Sequence, residues 1–237
     1  MASPASGDRE ACLATARQLI KGGAAKDAAA LLHELILATE RVSGVESSEL
    51  IEPIYLRARS IAKQHPWNEL PAEERDLLER ALRLAQMHHG EDAPRTVSIR
   101  ESLASALHAS NQTGDAVEPM GLVVRAKERV HGDGVLLAHA INGLAEMHLQ
   151  LGHFDEAASL FERSAAMATG KGDALMDFLI WFGYGRALVG LNRTEEAIEV
   201  LSRAHAWLVG KYGERNRSTL ELRELLDSLR GPRTLEG

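Results

Sequence analysis

A glycine returns through the chain at intervals of about 42 residues, and this repeat constrains the fold more than any other feature. The positions are Gly44, Gly90, Gly132, Gly172 and Gly213, spaced by 46, 42, 40 and 41 residues. Each closes an apolar run of helical period, where glycine can take the left-handed conformation that ends a helix. A second register runs inside the blocks. Small residues at Ala16, Ala62, Ala104, Ala145 and Gly185 are followed twelve positions later by Ala28, Glu74, Ala116, Ala157 and Ala197. Glu74 is the departure from alanine. From this second marker to the closing glycine the distance is 16, 16, 16, 15 and 16 residues. The first glycine interval is four residues longer than the next, and the surplus lies between Gly44 and Ala62. It predicts an extra turn at the start of the third helix.

Each block reads as helix, short turn, helix. In the fourth, Ile141, Leu144, Ala145, Met147 and Leu149 form one apolar stripe, and Gly152-His153-Phe154-Asp155 breaks it. Ala157, Ala158, Leu160, Phe161, Ala165 and Met167 form the next. A small residue on each helix lets the axes approach closely. Neither helix buries its stripe alone, so neighbouring pairs must stack. Pro71 with Glu73 and Glu74 suits a helix start. Ser218-Thr219-Leu220-Glu221 is a capping-box pattern that opens a last helix to about Leu229, which covers the fifth block. The expected fold is all-α: a right-handed α-solenoid of about five helix pairs plus a C-terminal capping helix. It is read as a single domain over residues 9–230, between disordered tails at 1–8 and 231–237.

Composition agrees. Aromatics are 4% of the 237 residues, too few for a sandwich or barrel. The net charge of −7 argues against a nucleic-acid binder. One cysteine, Cys12, excludes a disulfide framework and a Cys-rich zinc site and favours a reducing compartment, so a cytoplasmic setting is expected. The N-terminal residues lack the apolar core of a signal peptide. The most apolar window, 174–191, is interrupted by Asp177 and Arg186 and falls short of a membrane span.

Leu144-Ala145-Glu146-Met147-His148, followed by Gly152-His153-Phe154-Asp155-Glu156-Ala157, resembles the tetratricopeptide repeat. Leu77-Leu78-Glu79-Arg80-Ala81-Leu82 and Phe161-Glu162-Arg163-Ser164-Ala165 resemble the family's second-helix motif. A 42-residue version with Gly-Asp or Gly-Glu between blocks is similar to the kinesin light chain type. The resemblance implies a concave groove, lined by the first helix of each pair, that binds extended peptides or helices. The positions three before and one after the first small residue should face it. They are Leu13 and Arg17, Arg59 and Lys63, Glu101 and Ser105, Asn142 and Glu146, Phe182 and Arg186. One turn on come Ile20, Pro66, His108, Leu149 and Val189. The early groove is therefore basic, the middle polar, and the late part apolar with one cation. An acidic or phosphorylated segment suits Arg17, Arg59 and Lys63, and an apolar anchor suits Phe182. Asn142 matches a groove asparagine of kinesin light chain-like repeats; the other blocks lack it. The Lys/Asn carboxylate clamp of chaperone-binding members is absent.

Ten histidines call for a search for chemistry. No His-Glu-x-x-His string occurs. His88-His89 beside Glu91 and Asp92 reads as a polar helix end rather than a metal site. His108, Glu101 and Glu146 form the one candidate acid–base group. No phosphate loop is complete, Gly185 reads as a small slot, and Trp67 at a turn is the tryptophan expected to be exposed. No cofactor and no metal are expected. The reading is a non-enzymatic adaptor that binds a protein or peptide segment, without nucleic acid or membrane. The alternatives are a regulatory or substrate-docking subunit of a kinase or peptide-modifying system and, behind it, an enzyme with a groove-centre site. Self-association is expected through Leu13, Leu19 and Ile20 if nothing covers them.

Overall fold

The computed structural model describes residues 6–131, 134–168 and 174–231. Gly132 and Gly172, and the proposed tail residues 1–5 and 232–237, lie outside them. Among the described residues there are eleven α-helices and no strand. They are α1 (Ser6–Lys21), α2 (Ala25–Ser43), α3 (Ile51–Ala62), α4 (Ala72–His89), α5 (Pro94–Ala109) and α6 (Thr113–His131). Then follow α7 (Val135–Gln150), α8 (Phe154–Ala168), α9 (Ala174–Gly190), α10 (Thr194–Tyr212) and α11 (Arg217–Arg230). The chain divides into two compact units, Met1–Ala126 and Lys127–Gly237. Residues 6–8, expected in the tail, form the first turn of α1, where Asp8 sits at the positive end of the helix dipole.

Four of the five pairs share one turn. Three residues join α1 to α2, α5 to α6, α7 to α8 and α9 to α10. Each turn has one left-handed residue, Gly23, Asn111, Gly152 and Asn192 in order. Each next N–H reaches back to the carbonyl five residues earlier: Ala24 to Leu19, Gln112 to Leu107, His153 to His148, Arg193 to Leu188, at 2.8–2.9 Å. This is the Schellman closure, open to glycine or asparagine at the left-handed position. Between blocks, Gly44, Gly90 and Gly213 cap their helices at φ of 83°, 88° and 83°.

In the first unit, Leu13, Ala16 and Ile20 of α1 pack on Ala28, Leu32 and Leu35 of α2 and on Leu56 of α3. Each buried leucine or isoleucine contributes roughly 1.5–3 kcal/mol by leaving water. Leu13 and Ile20 are therefore covered from within, and Leu19 is partly buried against the same cluster. Cys12 is half-buried on the same cluster.

The second pair departs from the sequence reading. The helix of the second block is read with its small slot at Ala62, but Ala62 is half-buried while Ala58 is fully buried. Ala58 stands 42 residues after Ala16 and ten after Ser48, as Ala104 stands ten after Pro94. The four surplus residues therefore lie after the slot. They extend the α3–α4 connection, residues 63–71, and add no turn to the helix start; a short 3₁₀ turn at Ser48–Leu50 occupies that place. Trp67 in this connection is 82% exposed. Pro71 caps α4 from outside the helix, and Asn216, not Ser218, caps α11 by accepting from the Ser218 N–H at 3.0 Å.

The second unit packs on glycine. A Cβ on Gly185 would lie 2.4 Å from Leu201, one on Gly183 2.3 Å from Phe161, and one on Gly190 2.5 Å from Phe154. α9 therefore admits the side chains of α8 and α10 directly onto its backbone. Gly185 is a small slot in the strict sense, since even a methyl group is excluded.

Candidate functional site

With the slot at Ala58, the row three before the slots reads Leu13, Tyr55, Glu101, Asn142 and Phe182. The row one after reads Arg17, Arg59, Ser105, Glu146 and Arg186. Arg59 keeps its place in these rows, Tyr55 joins it, and Lys63 and Pro66 fall beyond the last turn of α3. The misplacement came from two alanines one helical turn apart, both on the same face.

In the first unit a cleft of about 590 Å³ opens between α3, α4 and α5. It brings together Arg59, Lys63, Glu101 and Ser105, four of the residues singled out in the sequence, and adds Tyr55, Ala62, Glu74, Leu78, Ser98 and Ser102. Tyr55 is buried; its hydroxyl lies 2.9 Å from Ser102 Oγ, and the Arg59 and Arg95 guanidiniums sit over its ring at 5.8 and 5.3 Å. Arg17 lies outside the cleft. It donates to Glu52 at 2.9 Å, which also takes Arg95 at 2.8 Å, and it has Glu10 at 3.5 Å. The expected cationic patch is thus partly neutralised by Glu52. His108 is not part of the cleft lining. Its Nδ1 lies 3.2 Å from Thr113 Oγ1 across the α5–α6 turn, and burial lowers its pKa.

Glu74 was visible in the sequence only as the exception to alanine. It is 5% exposed, its Oε2 has no hydrogen-bond partner, and desolvation pushes its carboxyl up to about 7.

In the second unit, Asn142 and Glu146 are one turn apart on α7, and Phe182 and Arg186 one turn apart on α9. Asn142 is buried with Oδ1 unpartnered. Burial raises the Glu146 pKa, and Arg186, 3.9 Å away, lowers it in part. The Arg186 guanidinium lies 5.6 Å from the Phe182 ring centre. Phe182 stacks on Phe178 at 5.7 Å, and Phe178 on Trp207 at 4.7 Å. Beside this stack α9, α10 and α11 enclose a cleft of about 370 Å³, lined mainly by Phe178, Phe182, Leu208, Leu222 and Leu225. The sequence points to Phe182 for an apolar anchor; it does not point to the leucines of α11, because that helix reads only as a cap.

Glu101 and His108 belong to the first unit and Glu146 to the second. Among the described residues no group of three or more His, Cys, Asp or Glu gathers to hold a metal ion. His88 Nε2 is 2.6 Å from the Glu46 carbonyl, which ties it to the preceding inter-block turn. No described helix is long and apolar enough to cross a membrane.

Within each unit the stacked helix pairs have an all-α, solenoid-type fold. Residues 137–169, spanning α7 and α8, match the tetratricopeptide repeat family model. Among solved structures the fold is similar to nearly identical TPR-like repeats from a Podosopora anserina protein assigned as a kinesin light chain. That likeness has 19% identity and a TM-score of 0.68 over 87% of this chain and 97% of the other. A single-substitution form of the same repeats gives 19% and 0.70, over 89% and 98%. BtubC (BKLC) from P. vanneervenii gives 16% and 0.71, over 89% and 84%. The resemblance to kinesin light chain-type repeats thus holds at the level of the fold. Among curated proteins no match is found.

Proposed function

We propose that this chain is a non-enzymatic adaptor that binds a protein or peptide segment along the first helices of its pairs. The observation that carries the reading is a repeated device. Each unit presents an aromatic ring with an arginine over it, Tyr55 with Arg59 and Phe182 with Arg186, beside an open cleft. Solenoids of this class use the faces of their first helices as binding surfaces. Arg59 and Lys63 suit an acidic or phosphorylated residue through charge-assisted hydrogen bonds. The cleft beside Phe182 suits an aliphatic or aromatic anchor. The proposed setting is the cytoplasm, which rests on the single, half-buried cysteine. Nucleic acid is an unsuitable partner for a chain of net charge −7.

The test combines cross-linking mass spectrometry of the native complex with the double variant Arg59→Glu, Lys63→Glu. Capture of a defined protein segment cross-linked to α3 and α5, and lost in the variant, is the expected result. Capture that is unchanged by the charge reversal removes the basic edge from the mode of binding.

A further inference from the structure

The second slot of the repeat is alanine in four blocks and glutamate in one. Ala28, Ala116, Ala157 and Ala197 are fully buried, and Glu74 takes the same place on α4. Where the others fill the space between paired helices with a methyl group, Glu74 brings in a carboxyl. Its Oε2 is closed to solvent without a hydrogen-bond partner. Buried polar atoms are nearly always paired, because an unpaired one loses its hydration and gains nothing in return. Glu74 lines the cleft, so a ligand that enters it and draws the carboxyl outward can pair this oxygen.

The rest of the cleft is divided by charge. On α5, the Ser98 hydroxyl donates to the Pro94 carbonyl, which leaves its oxygen as an acceptor, while Ser102 donates to the Ser98 carbonyl and accepts from the Tyr55 hydroxyl. Glu101 adds a carboxyl to the same wall. The cations, Arg59 and Lys63, come from the C-terminal end of α3, and Arg59 is already engaged over Tyr55. The α4–α5 wall therefore carries carboxyl and hydroxyl oxygens, with positive charge along one edge.

We propose that this cleft receives a basic side chain, a lysine ammonium or arginine guanidinium, from a bound protein segment, with Glu74 as its anionic partner. The inference rests on the adaptor reading, since the cation belongs to a protein segment. Arg59 and Lys63 then hold an acidic residue next to that base, so the site selects a segment of mixed charge over a purely acidic one. Binding is coupled to a proton. The cleft that Glu74 lines also holds Tyr55, Arg59 and Lys63 from the α3 side and Glu101 from α5. On its own helix Glu73 is taken by Arg57, and Arg75 by Glu79. With its carboxyl raised to about 7 by desolvation, Glu74 is substantially protonated at neutral pH, and an arriving cation drives the proton off.

The test follows the Glu74 carboxyl by ¹³C NMR in the full chain. The pH is scanned with and without Nα-acetyl-lysine methylamide, with Nα-acetyl-norleucine methylamide as the neutral control. The expected result is a fall of about one unit in the Glu74 midpoint with lysine and none with norleucine. Glu74→Gln removes the lysine-dependent amide shifts in α3 and α5. Glu74→Ala, which installs the residue of the other four slots, does the same. An unmoved midpoint, an equal response to both probes, or lysine shifts that persist in both variants overturns the proposal. A chain that captures its segment through Arg59 and Lys63 while Glu74 ignores lysine keeps the adaptor reading and loses this one. A Glu74 that answers lysine in a chain that captures no segment shows the cation site but overturns a protein segment as the source of the cation, and with it the adaptor reading.

Discussion

The cleft beside Tyr55 and the cleft beside Phe182 stand on the same repeat register, yet their chemistry is opposite. Each carries an aromatic ring three residues before a small slot and an arginine one residue after it. In the second block the partner slot on α4 holds Glu74, and the wall is built of carboxyls and hydroxyls. In the fifth block the partner slot on α10 holds Ala197, α9 is stripped to glycine, and leucines of α10 and α11 line the cleft. The lesson is that register sets where a site opens, while the residue in the second slot and the helix that follows set what it accepts.

The comparison can be broken at the slots first. Gly185→Ala should destabilise the chain by about 3 kcal/mol, because its methyl group meets Leu201 and the core is already close-packed. The converse change, Ala58→Gly in the first unit, should cost only about 1 kcal/mol, from backbone entropy within a helix. Urea unfolding followed by circular dichroism measures both, and equal losses would refute the distinction between a glycine slot and an alanine slot.

Next comes the carboxyl. Glu74 has a folded-state pKa of about 7 against an ordinary value of 4.5. Its ionisation therefore opposes folding. The penalty is absent below about pH 4.5, grows as pH rises towards 7, and is fully present above it. Relative to Glu74→Gln, wild type should lose about 2 kcal/mol across that window, the value of the shift reduced for solvent at the mouth of the cleft. Paired denaturation curves at acid and neutral pH check it; parallel pH profiles for the two proteins would contradict it.

A smaller effect separates the two rings. Tyr55→Phe removes the hydroxyl that meets Ser102 and should cost about 1 kcal/mol in thermal unfolding. Phe182, which has no such bond, should tolerate Tyr within the error of the same measurement. The smallest effect belongs to Arg186→Met, which removes the cation beside Glu146. Stability should change by less than about 0.5 kcal/mol, as for other exposed pairs. The Glu146 midpoint, read by ¹³C NMR, should move further up. A downward shift would mean that Arg186 is not the charge that holds it.

The helix pairs were legible because their markers are local. The left-handed glycines after α2, α4 and α10 and the small residues at most helix contacts are demanded by backbone geometry and close approach, whatever the partner. The second block misled for a physical reason. Ala58 and Ala62 lie one turn apart on one helix face, so composition cannot say which is the contact; only burial decides. Glu74 was visible as an anomaly, but its meaning depends on the wall that α5 brings to it. The α11 side of the apolar cleft was hidden for a similar reason. Leu222 and Leu225 have the spacing of an ordinary covering helix, and nothing in their order announces a cavity beside them.

The lengthened α3–α4 connection has a practical consequence. It holds Trp67 out in water, while Trp181 and Trp207 are partly buried among the helices around α9 and α10. Trp67 should therefore emit further to the red and be more accessible to iodide than the other two indoles. Quenching of the red-edge fluorescence reports on this connection, at the rim of the polar cleft, without a label and without disturbing the core.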